Sequence, residues 1–231
     1  DEFAMGHTEY LQKEFGREGD RALMILYNDL MRVAVATTHL AVKDIPAAIT
    51  KELITGKIED LHKSLIQDFG IDGPKIAVLS LNPHTGDGGL LGTEEAEVIT
   101  PAIKEMSEKG ILAFGPYAAD GFFGSGAWRR FDGILAMYHD QGLAPFKLLA
   151  GDNAVNFTAG LPVIRTSPDF GTAFDIAGLN RADASGMRTA IYAAIDLLRT
   201  RRRHLKAAEN PLRKHYVERG ADKSVDLSKE E

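Results

Sequence analysis

Three histidines of this sequence each follow a short apolar run of the kind that forms a buried strand. They are His39 after Val33-Ala34-Val35-Ala36, His84 after Ile76-Ala77-Val78-Leu79, and His139 after Ile134-Leu135-Ala136-Met137. Such runs are typical of parallel strands, and ligands bind beyond the carboxyl ends of those strands. Three neutral imidazoles at one edge of a sheet therefore predict a divalent-metal site with open positions for substrate. The alternative is three unrelated histidines, each hydrogen-bonded at the start of a loop.

Other polar residues stand close to these histidines in the sequence. Asp140 follows the third histidine, and Asp120 lies in a glycine-rich segment. A carboxylate beside a metal can complete its coordination, orient a ligand or accept a proton. Lys147 and Arg165 are the cations nearest to the motifs, and with Asn156 they could bind a phosphate or carboxylate. Taken singly, residues of these types are more often ordinary surface residues or residues that support a site indirectly, but their shared location at strand ends favours a site.

Composition excludes several classes of protein. The 231 residues carry a net charge of -6, so no general attraction to nucleic acid or to an anionic membrane is expected. There is no cysteine, which excludes disulfides and thiolate ligands and leaves histidine and carboxylate to bind a metal. No apolar run approaches the roughly 20 residues of a membrane span. We expect a cytoplasmic protein that binds neither nucleic acid nor membrane.

Familiar nucleotide and hydrolase motifs are missing from the sequence. It has no Gly-x-Gly-x-x-Gly turn after a strand and no Gly-x-Ser-x-Gly elbow. The segment from Thr85 to Gly89 could bind an anion through successive backbone N–H groups, although a simple tight turn explains it equally well. His7 stands at a predicted helix start, where a capping role is the alternative to a functional one.

Helices and strands alternate along the chain, which predicts an α/β protein with a largely parallel sheet. Helices are predicted over Thr8–Phe15, Ile45–Phe69, Thr93–Lys109 and Ala184–Arg201. Strands are predicted to end at His39, Leu81, Phe114 and His139, with one more within Ala154–Arg165. Loops are predicted over Gly115–Gly126 and Thr166–Ala173. No strand is predicted before Arg32, and we expect that polypeptide precedes Asp1 in the full protein.

Five motifs, in order, resemble those of the 4-hydroxythreonine-4-phosphate dehydrogenase family of vitamin B6 biosynthesis. They are Gly6-His7-Thr8-Glu9-Tyr10, Thr37-Thr38-His39-Leu40, Leu81-Asn82-Pro83-His84-Thr85-Gly86-Asp87-Gly88-Gly89, Ala136-Met137-Tyr138-His139-Asp140-Gln141-Gly142 and Asn156-Phe157-Thr158-Ala159-Gly160-Leu161-Pro162. The resemblance extends from about Gly6 to beyond Asp196, which is nearly the whole chain.

The resemblance implies a role for each motif. The family's metal ligands correspond to His39, His84 and His139. Its substrate contacts correspond to His7, Thr8, Lys147, Asn156 and Arg165, and Asp120 is expected in the active cleft. We expect Asp120, Asp140 and Lys147 to act in catalysis. The segment from Asp169 to Gly178 resembles the nucleotide loop of the isocitrate and isopropylmalate dehydrogenases, which implies NAD contacts at Gly171, Thr172, Ala173 and Asp175.

The implied fold is a two-domain α/β/α sandwich of the isocitrate/isopropylmalate dehydrogenase type. Residues 1–148 would form the metal-site and dimerisation domain, and residues 149–231 the C-terminal part of an incomplete cofactor-binding domain. Two departures from the family stand out. Phe170 replaces a usual histidine, and the family's N-terminal segment, which contributes strands to the cofactor domain, is not in this chain.

The implied activity is the NAD- and metal-dependent oxidation and decarboxylation of 4-phosphooxy-L-threonine to 3-amino-2-oxopropyl phosphate. Zinc, cobalt and magnesium are the expected metals, with histidine ligation favouring the first two. Family members are homodimers whose active site draws on both subunits. Two alternatives stay open: a D-threonate or D-erythronate 4-phosphate dehydrogenase of the same family, or a non-catalytic binding module.

Overall fold

The computed structural model describes residues 7–171 and 173–211, and its centre is a seven-stranded mixed sheet. The strands are β1 Leu23–Tyr27, β2 Arg32–Val35, β3 Ile76–Leu79, β4 Ala113–Tyr117, β5 Gly133–Ala136, β6 Val155–Ala159 and β7 Arg165–Pro168. They lie in the order β4-β3-β5-β2-β1-β6-β7. The strands from β4 to β2 are mutually parallel, whereas β1 is antiparallel to both β2 and β6, and β7 is antiparallel to β6.

Helices cover both faces of this sheet. They are α1 His7–Phe15, α2 Ile45–Ala48, α3 Lys51–Gln67, α4 Thr100–Glu108, α5 Ala119–Gly124, α6 His139–Ala150 and α7 Ser185–Glu209. Helix α3 begins where Thr50 Oγ1 accepts a hydrogen bond from Leu53 N at 3.2 Å. Its buried positions Ile54, Ile58 and Leu61 recur at helical spacing, so one stripe packs on the sheet.

The two faces of the sheet bury separate apolar clusters. On one face α3, α4 and Leu197 of α7 pack against strand residues such as Ile25, Val78 and Leu135. On the other face α5 and α6 pack against residues that alternate with those, such as Ala77 and Ile134. The period of two along each strand sends successive side chains to opposite layers. The predicted α/β/α sandwich is confirmed, with a mixed rather than largely parallel sheet.

Several predicted elements were wrong in detail. A strand precedes Arg32 after all: β1 forms a hairpin with β2, and Asn28 Oδ1 accepts hydrogen bonds from Leu30 N and Met31 N across the turn. The predicted helix over Ile45–Phe69 is two helices, because Ile49 and Thr50 are extended.

Other differences concern the ends of elements. The predicted loop over Gly115–Gly126 contains the end of β4 and all of α5, and the predicted loop over Thr166–Ala173 begins as β7. A π-helical turn, Glu95–Ile99, precedes α4, and α7 extends to Glu209. Both β6 and β7, which follow the predicted domain boundary at residue 148, belong to the same sheet as β1–β5. The division into two domains stays a prediction.

No helix in the described part of the chain has the length and apolarity to cross a membrane.

Candidate functional site

The three histidine-bearing segments leave the sheet at one edge. His39 lies in the turn after β2, His84 in the turn after β3, and His139 is the first residue of α6 after β5. These strands are adjacent and parallel, so their carboxyl ends share an edge, as the sequence predicts. Within residues 7–171 and 173–211, however, no group of three or more histidine or carboxylate side chains is close enough to hold a metal ion.

Two side chains connect these segments through the backbone. Thr37 donates from both its N–H and its Oγ1 to Met137 O, at 3.1 and 2.8 Å, which joins the end of β2 to the end of β5. Gln141 Oε1 accepts from Met137 N, and Gln141 Nε2 donates to Ser80 O, both at 2.7 Å. The three chain ends are therefore fixed relative to one another. No spacing or pattern in the sequence predicts this role of Gln141.

His139 is oriented by its neighbour. Its Nδ1 lies 2.7 Å from Oδ1 of Asp140, which is 84% exposed and stands in the first turn of α6. A carboxylate at one ring nitrogen directs the other outward, as in many metal-binding histidines. The helix approaches the sheet closely because residue 142 is glycine: a Cβ there would lie 2.8 Å from Val33 Cγ1 and 2.9 Å from Ala136 Cβ.

His84 stands in a turn of unusual backbone conformation. Residues His84, Thr85, Gly86, Asp87 and Gly88 all have positive φ, between 46° and 82°. A non-glycine residue in this left-handed region costs about 1–2 kcal/mol. Backbone hydrogen bonds from Leu90 N to Asp87 O and from Leu91 N to Gly86 O close the turn. The neighbouring structure must stabilise this conformation and thereby fix the position of His84.

A cavity of about 430 Å³ opens beside this edge, between the end of β3, α5 and α6. Its lining includes Asp120, Tyr138 and Gln141. A smaller cavity of about 120 Å³ is lined by Thr38, His139 and others. A larger cavity of about 680 Å³ lies at the opposite edge, beside the β1–β2 turn and α7. We assign the site to the histidine edge because none of the predicted site residues lines that larger cavity.

The predicted phosphate-binding residues come from α6, β6 and β7. Lys147 Nζ lies 3.1 Å from Oδ1 of Asp169, and Arg165 Nη1 lies 3.5 Å from Thr158 Oγ1. Burial lowers the pKa of the Arg165 guanidinium. Asn156 Oδ1 and Asp169 Oδ2 are buried without a hydrogen-bond partner. Buried polar atoms of this kind normally have a partner, so a ligand could satisfy them here.

The remaining predicted residues lie in surface segments. His7, exposed, and Thr8, half-buried, are the first two residues of α1. Gly171, Ala173 and Asp175 are exposed: the first two precede a short 3-10 turn, Phe174–Ile176, and Asp175 lies within it, whereas Thr172 lies outside the described residues. Phe170 packs near Gly186 of α7: a Cβ at that glycine would lie 2.9 Å from its ring.

A family model and curated relatives both match most of this chain. Residues 3–194 match the sequence model of the pyridoxal phosphate biosynthetic protein PdxA. The 4-hydroxythreonine-4-phosphate dehydrogenase of Bacteroides thetaiotaomicron is 61% identical over 217 residues, which are 94% of this chain and 59% of that protein. Its counterpart from Sulfurihydrogenibium is 47% identical over 85% of this chain and 60% of its own length.

Solved structures agree. The crystal structure of the Klebsiella pneumoniae 4-hydroxythreonine-4-phosphate dehydrogenase matches with a TM-score of 0.73 and 38% identity, over 83% of this chain and 58% of that one. A terephthalate 1,2-cis-dihydrodiol dehydrogenase from Burkholderia xenovorans matches with a TM-score of 0.66 and 28% identity, over 83% of this chain and 61% of that one. The chain thus spans about three fifths of the length of these relatives, and it belongs to the pyridoxal phosphate biosynthetic protein PdxA family.

Proposed function

We propose that this chain carries the metal and substrate residues of an NAD-dependent dehydrogenase that oxidises and decarboxylates 4-phosphooxy-L-threonine to 3-amino-2-oxopropyl phosphate. The observation that carries the proposal is the shared edge of β2, β5 and β3, where His39, His139 and His84 stand beside a cavity lined by Asp120. The dehydrogenase names of the relatives support the reaction class.

The metal would be held by His39, His84 and His139. Three histidine ligands suit zinc or cobalt. The Asp140 carboxylate contacts His139 Nδ1, and metal-binding imidazoles are commonly oriented by a carboxylate in this way. When bound, the metal lowers the pKa of a coordinated hydroxyl and stabilises enolate-like charge. No three such ligands converge within the described part of one chain, so we propose that two copies together complete the set.

A second copy also suits the surface around the histidines. Leu40 and Val42 follow His39, Leu90 and Leu91 follow the His84 turn, and between 46% and 79% of each side chain is exposed. Large exposed apolar side chains clustered beside a site are typical of an interface. We therefore propose a homodimer in which this edge is buried.

The chain's own residues would bind and orient the substrate. Lys147 and Arg165 would bind the phosphate through charge-assisted hydrogen bonds, and Asn156 Oδ1 would accept a hydrogen bond from the substrate. Asp120, exposed at the start of α5 and facing the cavity, would accept the hydroxyl proton at its carboxylate. His7 and Thr8 would make further substrate contacts.

NAD would bind at the exposed loop with Gly171, Thr172, Ala173 and Asp175. The cofactor would supply the hydride acceptor for oxidation at the carbinol carbon of the substrate. A carboxylate such as Asp175 is the group that commonly hydrogen-bonds the ribose hydroxyls of this cofactor. The exposure of Gly171, Ala173 and Asp175 leaves their backbone and side-chain groups accessible to it.

Turnover of the full reading frame tests the proposal. The measurement is NADH formation from 4-phosphooxy-L-threonine with Zn²⁺, Co²⁺ or Mg²⁺ added to chelator-treated protein. We expect metal-dependent turnover that His84→Ala abolishes, together with loss of one equivalent of tightly bound metal. Unchanged activity of His84→Ala with stoichiometric metal would contradict the site assignment.

A second candidate keeps the chemistry and changes the substrate to D-threonate or D-erythronate 4-phosphate. The solved structure with 28% identity supports this second candidate, because it is named as a dihydrodiol dehydrogenase and its name therefore specifies a diol substrate. The ratio of kcat/KM for the two substrate types decides between them. A third candidate is a non-catalytic binding module. The absence of NAD binding to the full protein in calorimetry would support this candidate over a dehydrogenase.

A further inference from the structure

Glu95 is a buried carboxylate next to the turn that carries His84. Its side chain is 4% exposed, and it begins the π-helical turn Glu95–Ile99. A charged carboxylate is almost never buried to this extent unless it is fully hydrogen-bonded. Single π-helical turns are rare in proteins, and those that occur are often found at functional sites.

The Glu95 carboxylate is hydrogen-bonded to the segment that leads into the turn. Its Oε1 accepts from the backbone N–H groups of Leu81 and Asn82, both at 2.7 Å. Its Oε2 accepts from Asn82 Nδ2 at 3.0 Å, and the same amide donates to Glu94 Oε2 at 2.7 Å. The carboxylate therefore fixes both the backbone and the side chain of the residue that precedes Pro83.

The same carboxylate packs against the turn itself. A Cβ at Gly86 would lie 2.8 Å from Glu95 Oε2 and 2.6 Å from Gly92 O, so only glycine fits against it. Gly86 has a φ of 82° and lies in the middle of the left-handed run that begins at His84. The buried Glu95 side chain thus contacts the residues just before this left-handed run and also Gly86 at its centre.

From these contacts we infer that Glu95 is a positioning residue for His84. It holds the end of β3 and the left-handed turn in the one conformation that presents the imidazole at the edge shared with His139. This inference rests on the proposed metal role of His84, but the positioning itself can be measured without metal.

The test compares Glu95→Gln with Glu97→Gln, which removes one charge from an exposed position of the same π-turn. Gln keeps the size but offers a neutral acceptor to the Leu81 and Asn82 N–H groups and turns an N–H donor toward Asn82 Nδ2. The probe is Co²⁺ added to the full protein, read from its visible absorption spectrum. We expect Glu95→Gln to bind Co²⁺ about 10- to 100-fold more weakly, with an altered spectrum at saturation, and Glu97→Gln to match the parent.

Two metal-free measurements separate this inference from the proposed function. Hydrogen exchange of the Leu81 and Asn82 amides should speed up in Glu95→Gln alone, and the NMR signals of the His84 ring should shift or broaden. If the parent binds no Co²⁺ while these signals change as expected, the metal role fails and the positioning role stands. Unchanged exchange and an unchanged His84 ring in Glu95→Gln would overturn the positioning role.

A milder variant covers the case in which Glu95→Gln does not fold. Asn82→Ala removes only the amide contacts and keeps both backbone N–H bonds to Glu95. We expect a smaller loss, about 3- to 10-fold in Co²⁺ affinity, since this variant removes one of the three hydrogen bonds to the Glu95 carboxylate and keeps the two from the backbone. Parent-like affinity and parent-like His84 signals in Asn82→Ala would contradict the inference.

Discussion

Arg201 of α7 places its guanidinium Nε against Oδ1 of Asp68, 2.6 Å away and 133 residues earlier in the sequence. Both side chains are buried, with 7% and 0% of their surface exposed. Ser64 Oγ donates to the other carboxylate oxygen at 2.8 Å, and Arg201 Nη1 donates to Leu161 O at 2.7 Å. This ion pair connects the last helix to the end of α3.

Replacing Arg201 with Ala should strongly destabilise the fold, because it leaves the Asp68 carboxylate buried without its cation. Loss of one partner of a buried pair costs about 3–5 kcal/mol. The measurement is the free energy of unfolding in urea. Arg202→Ala, at an exposed position of the same helix, is the control and should stay within about 0.5 kcal/mol of the parent. Equal stabilities for the two variants would show that the pair contributes nothing.

Tyr27 should make the fold sensitive to alkali. Burial raises the pKa of its phenol to about 12, and its ring packs edge-on against Phe69 with the centroids 4.9 Å apart. Because the unfolded chain ionises this phenol near pH 10, the stability it contributes is fully present below about pH 10 and is lost as the pH rises toward 12. Relative to Tyr27→Phe, the parent should lose about 1–2 kcal/mol over that interval, after allowance for partial exposure. Parallel stability curves for the two proteins would contradict the prediction.

Gln141→Ala should destabilise the histidine edge. It leaves Met137 N–H and Ser80 C=O, both in buried residues, without their side-chain partner. An unsatisfied buried polar group costs about 1–3 kcal/mol. Gln141→Glu keeps the acceptor for Met137 but places a carboxylate oxygen, instead of a donor, against Ser80 O, so its unfolding free energy should also fall below that of the parent. Parent-like unfolding free energies for both variants would refute the bridging role.

Arg165→Ala and Lys147→Ala should each weaken the binding of 4-phosphooxy-L-threonine about 10- to 150-fold, which corresponds to about 1.5–3 kcal/mol for a charge-assisted hydrogen bond. Metal affinity should hardly change, since neither cation is a ligand. Titration calorimetry measures both affinities, and Arg199→Ala, 72% exposed on α7, is the control. A substrate affinity within twofold of the parent for both variants would show that these cations are ordinary surface charges.

The strands before the three histidines could be predicted because each is a continuous apolar run buried on both faces. The prediction placed the strand ends too late, since each strand stops before its histidine and the intervening residues form turns or the start of α6. The Leu23–Tyr27 strand was missed although its turn signal, Asn28-Asp29, is present in the sequence.

The residues that hold the site in place could not be predicted from the sequence, and the reason is physical. Glu95 acts on backbone groups 13 and 14 residues away, and Gln141 on a carbonyl 61 residues away. Neither distance follows from a local period or a spacing rule. The left-handed turn at His84 was equally hidden, because a non-glycine residue with positive φ is stabilised by its surroundings rather than by its own preference.

The position of β5 in the sheet has a consequence for how the molecule is made. β5 lies between β2 and β3, yet it follows both of them in the sequence. During synthesis β2 and β3 therefore leave the ribosome before the strand that pairs with both of them. Thr37 donates a hydrogen bond to the carbonyl of Met137, which is synthesised 100 residues later. The edge that carries the histidines can assemble only after the chain has been made through α6, so the three histidine-bearing segments come together late in synthesis.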